Sequence, residues 1–359
     1  MMRVYNFSAG PSMLYEDVLK QASQEMLDYN STGMSVAEMS HRSKPYMEIN
    51  DETISLFKEL LNVPDNYKIL LLQGGASMQF DAVPLNLMNN YKKAEYIVTG
   101  NFAKKASSFA KKYGEVKVIA NTFDKNNTYL PKLTDADFSD EVDYCHFTSN
   151  NTIFGTEFKE FPNAKAPLVC DMSSDILSRE IDVSKFGLIY AGAQKNIGPA
   201  GLTVVIVRED LIGKHLPICP TLLAYQTQAE ENSLYNTPSC YAIYMAMLTL
   251  RHLKKLGGLK AVNKINKDKA QMLYDYVDST SFYTNNVEKD ARSIMNVPFV
   301  TANADLDAKF VKEASQNSIV SIKGHKLVGG MRASIYNAMP VEGVQHLIDF
   351  MKKFESENK

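Results

Sequence analysis

The chain has 359 residues, 45% of them hydrophobic and 22% charged, with a formal net charge of −2. That length accommodates two domains and a sizeable core. The near-neutral balance and scattered basic residues exclude a nucleic-acid or anionic-membrane surface built on bulk charge, and no apolar run approaches the length of a membrane span.

From about residue 16 to 230, short apolar runs alternate with amphipathic stretches. "KILLLQGG" (68–75) predicts a buried strand ending in a glycine turn, and "SMQFDAVPLNLM" (77–88) a helix after it. "AEYIVTG" (94–100) predicts a strand, and "FAKKASSFAKKYG" (102–114) a helix with lysines on its wet face. "VKVIA", "VDYCHFTS", "APLVCDMSS", "FGLIYAGA" and "LTVVIVRED" follow as strands. Several are apolar on both faces, as in a mainly parallel sheet covered by helices on both sides.

After about residue 237 the pattern changes. "SCYAIYMAMLTLRHLKKLGG" (239–258) predicts a long helix with a Gly-Gly stop, and residues 259–279 a second. "SIMNVPFV", a helix near 305–317, "MRASIYN" and a final amphipathic helix from Val341 complete a small α+β unit. The expected division is a large domain over 16–236 and a small one made of 1–15 and 237–359.

Lys195 stands between two apolar runs, in a turn rich in Gly192, Gly198, Pro199 and Gly201. Burial there would lower the amine's pKa and free its lone pair. Asp171 ends the run "APLVCD", so its carboxylate is expected at the strand-end crevice where α/β proteins bind ligands. An amine and an acid at one sheet edge suit pyridoxal phosphate: the lysine condenses with the aldehyde and the acid keeps the ring nitrogen protonated. Taken alone, Asp171 would equally serve as a turn cap for "SSDIL". "QGGASMQF" offers helix N-terminal N–H groups and the Ser77 hydroxyl to a phosphate, although it is neither a Walker A loop nor G-x-G-x-x-G. "SHRSK" (40–44) and "GHKLVGGMRAS" (324–334) pair histidines with basic residues, and Arg42 and Arg332 could each hold a carboxylate or phosphate. No histidine spacing suggests a metal site, and no G-x-S-x-G elbow suggests a serine hydrolase.

These stretches, with "YNFSAGPSMLYEDVL", "YNTPS", "GAQKNIGPAG" and "GGMRASIYNAMP", resemble the phosphoserine aminotransferases over nearly the whole chain. That family lies in the class V group of fold type I pyridoxal-phosphate enzymes. The resemblance implies an α/β fold with a mainly parallel seven-stranded sheet and a small C-terminal domain. It implies ping-pong transamination between L-glutamate and 3-phosphohydroxypyruvate, giving O-phospho-L-serine and 2-oxoglutarate in serine biosynthesis. It leaves open a further role on the pyridoxine-pathway oxo acid.

Carried over residue by residue, the resemblance makes Lys195 the cofactor lysine and proton carrier, and Asp171 the partner of the pyridine nitrogen. Thr152 would donate to the ring's 3-oxygen, Phe102 would stack on the ring, and Ala76, Ser77 and Gln194 would contact the phosphate. Asn236 and Thr237 would reach the phosphate from the neighbouring subunit of a homodimer. Arg332 would take the substrate α-carboxylate, and His41, Arg42 and His325 its distal anion. Three departures stand out. Phe102 occupies a position often held by tryptophan, Ser77 one held by arginine in some members, and Lys326 another. Each reduces stacking area or planar donors. Cys145, Cys170, Cys219 and Cys240 form no C-x-x-C pair, and "MMRVYNFSAGPSML" has no signal-peptide pattern, so reduced thiols and a cytoplasmic location are expected.

Overall fold

The computed structural model describes residues 3–359. In chain order the principal elements begin with α1 (Glu16–Gln24), α2 (Lys44–Leu60), β1 (Tyr67–Leu72) and α3 (Gly75–Leu87). β2 (Lys93–Val98), α4 (Asn101–Ala110), β3 (Glu115–Asn121), β4 (Tyr144–Thr148) and β5 (Leu168–Asp171) come next. β6 (Leu188–Gly192), β7 (Thr203–Arg208), α5 (Tyr225–Glu230) and α6 (Cys240–Lys255) complete the first part. The remainder is α7 (Gly258–Ser279), β8 (Asn296–Phe299), α8 (Ala304–Gln316), β9 (Met331–Ser334) and α9 (Val341–Asn358).

Seven strands form one sheet in the order β1-β7-β6-β5-β4-β2-β3. All neighbours are parallel except β7, which runs antiparallel to both β1 and β6. The fold is thus α/β and mainly parallel, as expected. Strand alternation sends successive side chains to opposite faces, and both faces are apolar. Ile69, Phe147, Cys170, Ile189 and Val204 enter one core. Leu70, Tyr144, Val169, Leu188 and Val205 enter the other. Edge strand β3 is the exception, being largely exposed.

A third core, around Phe7, Phe299, Phe310, Phe350 and Phe354, belongs to the C-terminal part. There β8 and β9 pair antiparallel, and Tyr5–Asn6 runs parallel to Ile319–Val320, so the N-terminal strand joins the C-terminal unit. Ile243, Met247, Leu250 and Leu253 of α6, with Leu259 and Val262 of α7, pack into the large-sheet core. From Ala270 onward α7 faces the smaller core. The large-sheet core extends through α6 into the first half of α7 because α6 is apolar on most of its circumference and α2 and the sheet provide the surface that covers it.

Candidate active site

The C-terminal ends of β4, β5 and β6 lie side by side. Thr148 pairs with Asp171, and Asp171 with Tyr190. Beyond β6 the chain makes the small-residue turn that carries Lys195 before β7 returns. The N-termini of α3 and α4 open onto the same edge, because β1 and β2 end there too. Gly74 and Gly75 take left-handed φ values of 96° and 69° at the entry to α3, a conformation that disfavours residues with a Cβ. Arg332 arrives from β9, across the domain boundary. Together these elements enclose a cavity of about 350 Å³.

Lys195 Nζ donates to Thr152 Oγ1 at 2.7 Å and lies 5.7 Å from the centre of the Phe102 ring. The lysine is only 9% exposed. Burial pushes its pKa down to about 8; the Arg332 charge adds to the fall and the Asp171 carboxylate opposes it. Asp171 Oδ1 accepts from Ser173 N at 3.0 Å and Ser173 Oγ at 2.6 Å. Burial raises the Asp171 pKa, against the Ser173 hydrogen bonds and the Lys195 charge. Arg332 Nη1 donates to Thr152 O at 3.3 Å, which ties the arginine to the residue bonded to Lys195. His325 accepts from Leu327 N through Nδ1 at 3.2 Å, which leaves Nε2 to carry the proton of the neutral ring. Burial, then the charges of Arg332, Lys326 and Lys105, depress its pKa.

Nine residues singled out in the sequence line this cavity. Ala76, Ser77, Phe102, Thr152 and Asp171 form one side, and Gln194, Lys195, His325 and Arg332 the other. Four do not line the cavity of their own chain. His41 and exposed Arg42 sit in the turn before α2 and are absent from the lining of their own chain's cavity. Asn236 and Thr237 are exposed, with Thr237 O accepting from Gln73 Nε2 at 2.7 Å, just ahead of α3.

Several contributors escaped the sequence reading. Lys105, one turn after Phe102 on α4, lines the mouth of the cavity; the i, i+3 spacing was the available signal. Ser173 anchors Asp171, and its Oγ also accepts from Gly192 N at 3.1 Å. Ser12 donates through Oγ to Lys195 O at 2.5 Å and through N to Gln194 O at 2.9 Å, so "FSAGPS" clasps the lysine's backbone. No periodicity reports a contact across that sequence distance.

The group implied by the resemblance is pyridoxal 5′-phosphate, and the residues fit it. The first turn of α3 presents unpaired N–H groups suited to a phosphate. Asp171 keeps Oδ2 without a donor among the described residues, available to a pyridinium N–H. Thr148 Oγ1 and Arg332 Nε, on residues that line the cavity, are buried without partners, as expected of groups awaiting a polar ligand. No cluster of metal-ligating side chains occurs among the described residues, and no helix among them is long and apolar enough to cross a membrane.

Comparison with known proteins agrees with this geometry. The family model "Aminotransferase class-V" matches residues 4–347. The phosphoserine aminotransferase of Bacillus cereus is 52% identical over 360 residues, covering 100% of both chains. The solved phosphoserine aminotransferase of Bacillus circulans subsp. alkalophilus superposes with a TM-score of 0.96 at 46% identity, covering 99% of each chain. The PLP-bound phosphoserine aminotransferase of Trichomonas vaginalis superposes with a TM-score of 0.93 at 40% identity, covering 98% of this chain and 100% of that one. On these grounds the chain belongs to the phosphoserine aminotransferase family of class-V, pyridoxal-phosphate-dependent aminotransferases.

Proposed function

We propose that this chain transfers the amino group of L-glutamate to 3-phosphohydroxypyruvate by a ping-pong reaction, releasing 2-oxoglutarate and then O-phospho-L-serine. The observation that carries the reading is the meeting, in one cavity, of a buried depressed-pKa lysine and a buried aspartate from adjacent strand ends. When bound, pyridoxal phosphate supplies an aldehyde for the amine and an electron-withdrawing ring that acidifies the substrate Cα–H.

The side chains divide the remaining work. Lys195 Nζ would anchor the cofactor; once released from it, the amine would take the Cα proton of the bound amino acid and pass it to the former aldehyde carbon within the same half-reaction, and the second half-reaction would run that transfer in reverse. Thr152, 2.7 Å from that nitrogen, holds it in line and donates to the ring's 3-oxygen once the amine is displaced. Asp171 keeps the ring nitrogen protonated, and Ser173 fixes its orientation. Phe102 covers one ring face, and Ala76, Ser77 and Gln194 hold the phosphate. Arg332 binds the α-carboxylate of both amino acids, and His325 faces the distal carboxylate or phosphate.

A second copy of the chain completes the site in this reading. Exposed Arg42 and half-buried His41 do not reach their own cavity, and exposed Asn236 and Thr237 lie on the same side as α3. A homodimer in which these four residues serve the partner's cavity gives them a role. The four cysteines are unpaired, with Cys145 and Cys170 buried, which supports a reducing compartment and the cytoplasm. The pyridoxine-pathway oxo acid, longer by one hydroxyl-bearing carbon, would meet the same charges, and we include it as a second substrate.

Borohydride reduction of the purified protein followed by mass analysis tests the reading. A cofactor adduct on Lys195, and a visible band that bleaches with glutamate and returns with 3-phosphohydroxypyruvate, are the expected results. An adduct elsewhere, or none, overturns it.

A further inference from the structure

Six residues beyond Asp171 the backbone does something unusual. Leu177 adopts φ +61°, a left-handed conformation rare for a bulky side chain. The carbonyls around it are all taken by side-chain amides. Asn196 Nδ2 donates to Ile176 O at 3.0 Å, Asn337 Nδ2 to Leu177 O at 2.9 Å, and Asn266 Nδ2 to Ser178 O at 3.1 Å. The three asparagines also bond to one another. Asn266 Nδ2 donates to Asn337 Oδ1 at 2.8 Å, and Asn337 N to Asn196 Oδ1 at 3.0 Å.

Each asparagine comes from a different element, and all are buried. Asn266 is on α7, Asn337 in the turn after β9, and Asn196 directly follows Lys195. That turn is held from its other side by Lys269, whose buried Nζ donates to the carbonyls of Ile335, Tyr336 and Met339 at 2.8–3.1 Å. The network therefore ties three functional pieces: the turn that follows Asp171, the turn carrying Lys195, and the turn after the strand carrying Arg332. Apolar side chains in that junction would leave the carbonyls of Ile176, Leu177 and Ser178 without donors, so the amides both satisfy the turn and link the three pieces.

We propose that Asn196, Asn266 and Asn337 form a positioning strut that sets Lys195 against Asp171 and Arg332, and that Asn266 acts on the reaction without lining the cavity. Proton transfer by Lys195 tolerates little displacement, and a shift of about 1 Å costs about a hundredfold in rate. The inference rests on Lys195 being the cofactor lysine, which the adduct analysis of the parent protein tests separately.

The test uses the holoenzyme, with Asn266→Ala and the milder Asn266→Ser in case the first folds poorly. The control is Asn86→Ala. Asn86 is also buried, donating to Ala82 O and Leu223 O at 2.8 Å and accepting from Tyr225 N at 2.9 Å, away from the strut. In either Asn266 variant, kcat should fall about tenfold while KM for glutamate stays within about twofold. The visible circular dichroism of the bound cofactor, which reports its orientation, should change. Asn86→Ala should lose melting temperature while keeping kcat and the dichroic band. If the Asn266 variants lose only melting temperature, or if the control moves kcat and the band equally, the strut is structural and the proposal fails.

Discussion

The free amine at position 195 should titrate far below an ordinary lysine. Its pKa lies at about 8 against 10.5 for the unperturbed side chain, with burial as the main cause. That difference is worth roughly 3 kcal/mol and multiplies the unprotonated fraction at pH 7 about 300-fold, to about one molecule in eleven. Rapid mixing of cofactor-free protein with pyridoxal 5′-phosphate, from pH 6 to 10, measures it through the rise of visible absorbance. A free primary amine run in parallel corrects for ionisation of the cofactor. The corrected rate should climb with pH and level off around a midpoint of about 8. The neighbours give opposite signatures. Arg332→Gln removes a charge that lowers the lysine's pKa, so the midpoint should rise; Asp171→Asn removes one that raises it, so the midpoint should fall. A corrected rate still climbing like that of the free amine at pH 10, or shifts of the same sign in both variants, would refute the argument.

Other consequences are more local. Ser173→Ala removes the 2.6 Å hydroxyl contact to Asp171 and the acceptor for Gly192 N; cofactor dissociation, followed by fluorescence, should become about tenfold to a hundredfold more favourable, matching a lost charge-assisted bond of about 1.5–3 kcal/mol. Arg332→Lys keeps the charge but loses the planar fork, so kcat/KM for both substrates should drop about tenfold to a hundredfold in steady-state assays. Lys269→Met strands three carbonyls and should cost about 3 kcal/mol or more in chemical denaturation. Burial lowers the Lys269 pKa from 10.5 to about 7. The unfolded chain then binds the extra proton between those values, so this residue makes stability fall as pH drops from 10.5 towards 7. Melting curves at several pH values should show that slope reduced in the Met variant; an unchanged slope would contradict it.

The sheet was legible because its strands are short apolar runs that no solvent-facing element could carry. "LVCD", "LIYAG" and "TVVIVR" are buried almost throughout. Lys195 and Asp171 were legible for the same reason: a charge at the end of such a run has few places to point. The sharing of α6 and α7 between two cores was not legible, because α6 reads as an autonomous helix and sequence does not say which core receives an apolar face. Where His41 and Arg42 sit was not legible for a related reason. "SHRSK" has the right chemistry, but where a turn sits depends on how α1 and α2 pack, and period and propensity do not encode that. Ser12, Ser173 and the asparagine strut act across tertiary contacts. Each looks in the sequence like an ordinary polar turn residue, and its partners become visible only once the chain is folded.

The departure at Lys326 bears on the charge at the mouth of the cavity. The cations Lys105 and Arg332 line it, and Lys326 follows His325. None forms an ion pair with a carboxylate among the described residues, whereas exposed lysines elsewhere commonly do, as at Lys20–Glu16 or Lys254–Glu59. Leaving cations unpaired around one opening raises the local potential for an incoming anion. A planar guanidinium fixes phosphate geometry through paired donors, while an ammonium contributes mainly as a point charge. With a lysine at position 326, the mouth of the cavity offers summed charge more than fork geometry to an incoming anion. Summed charge favours a phosphate dianion over the single charge of glutamate's γ-carboxylate, and tolerates variation in the length of the chain that carries the phosphate. The strict geometric demands then fall on the other end of the substrate, where Arg332, Thr152 and Lys195 are joined by hydrogen bonds of 3.3 and 2.7 Å.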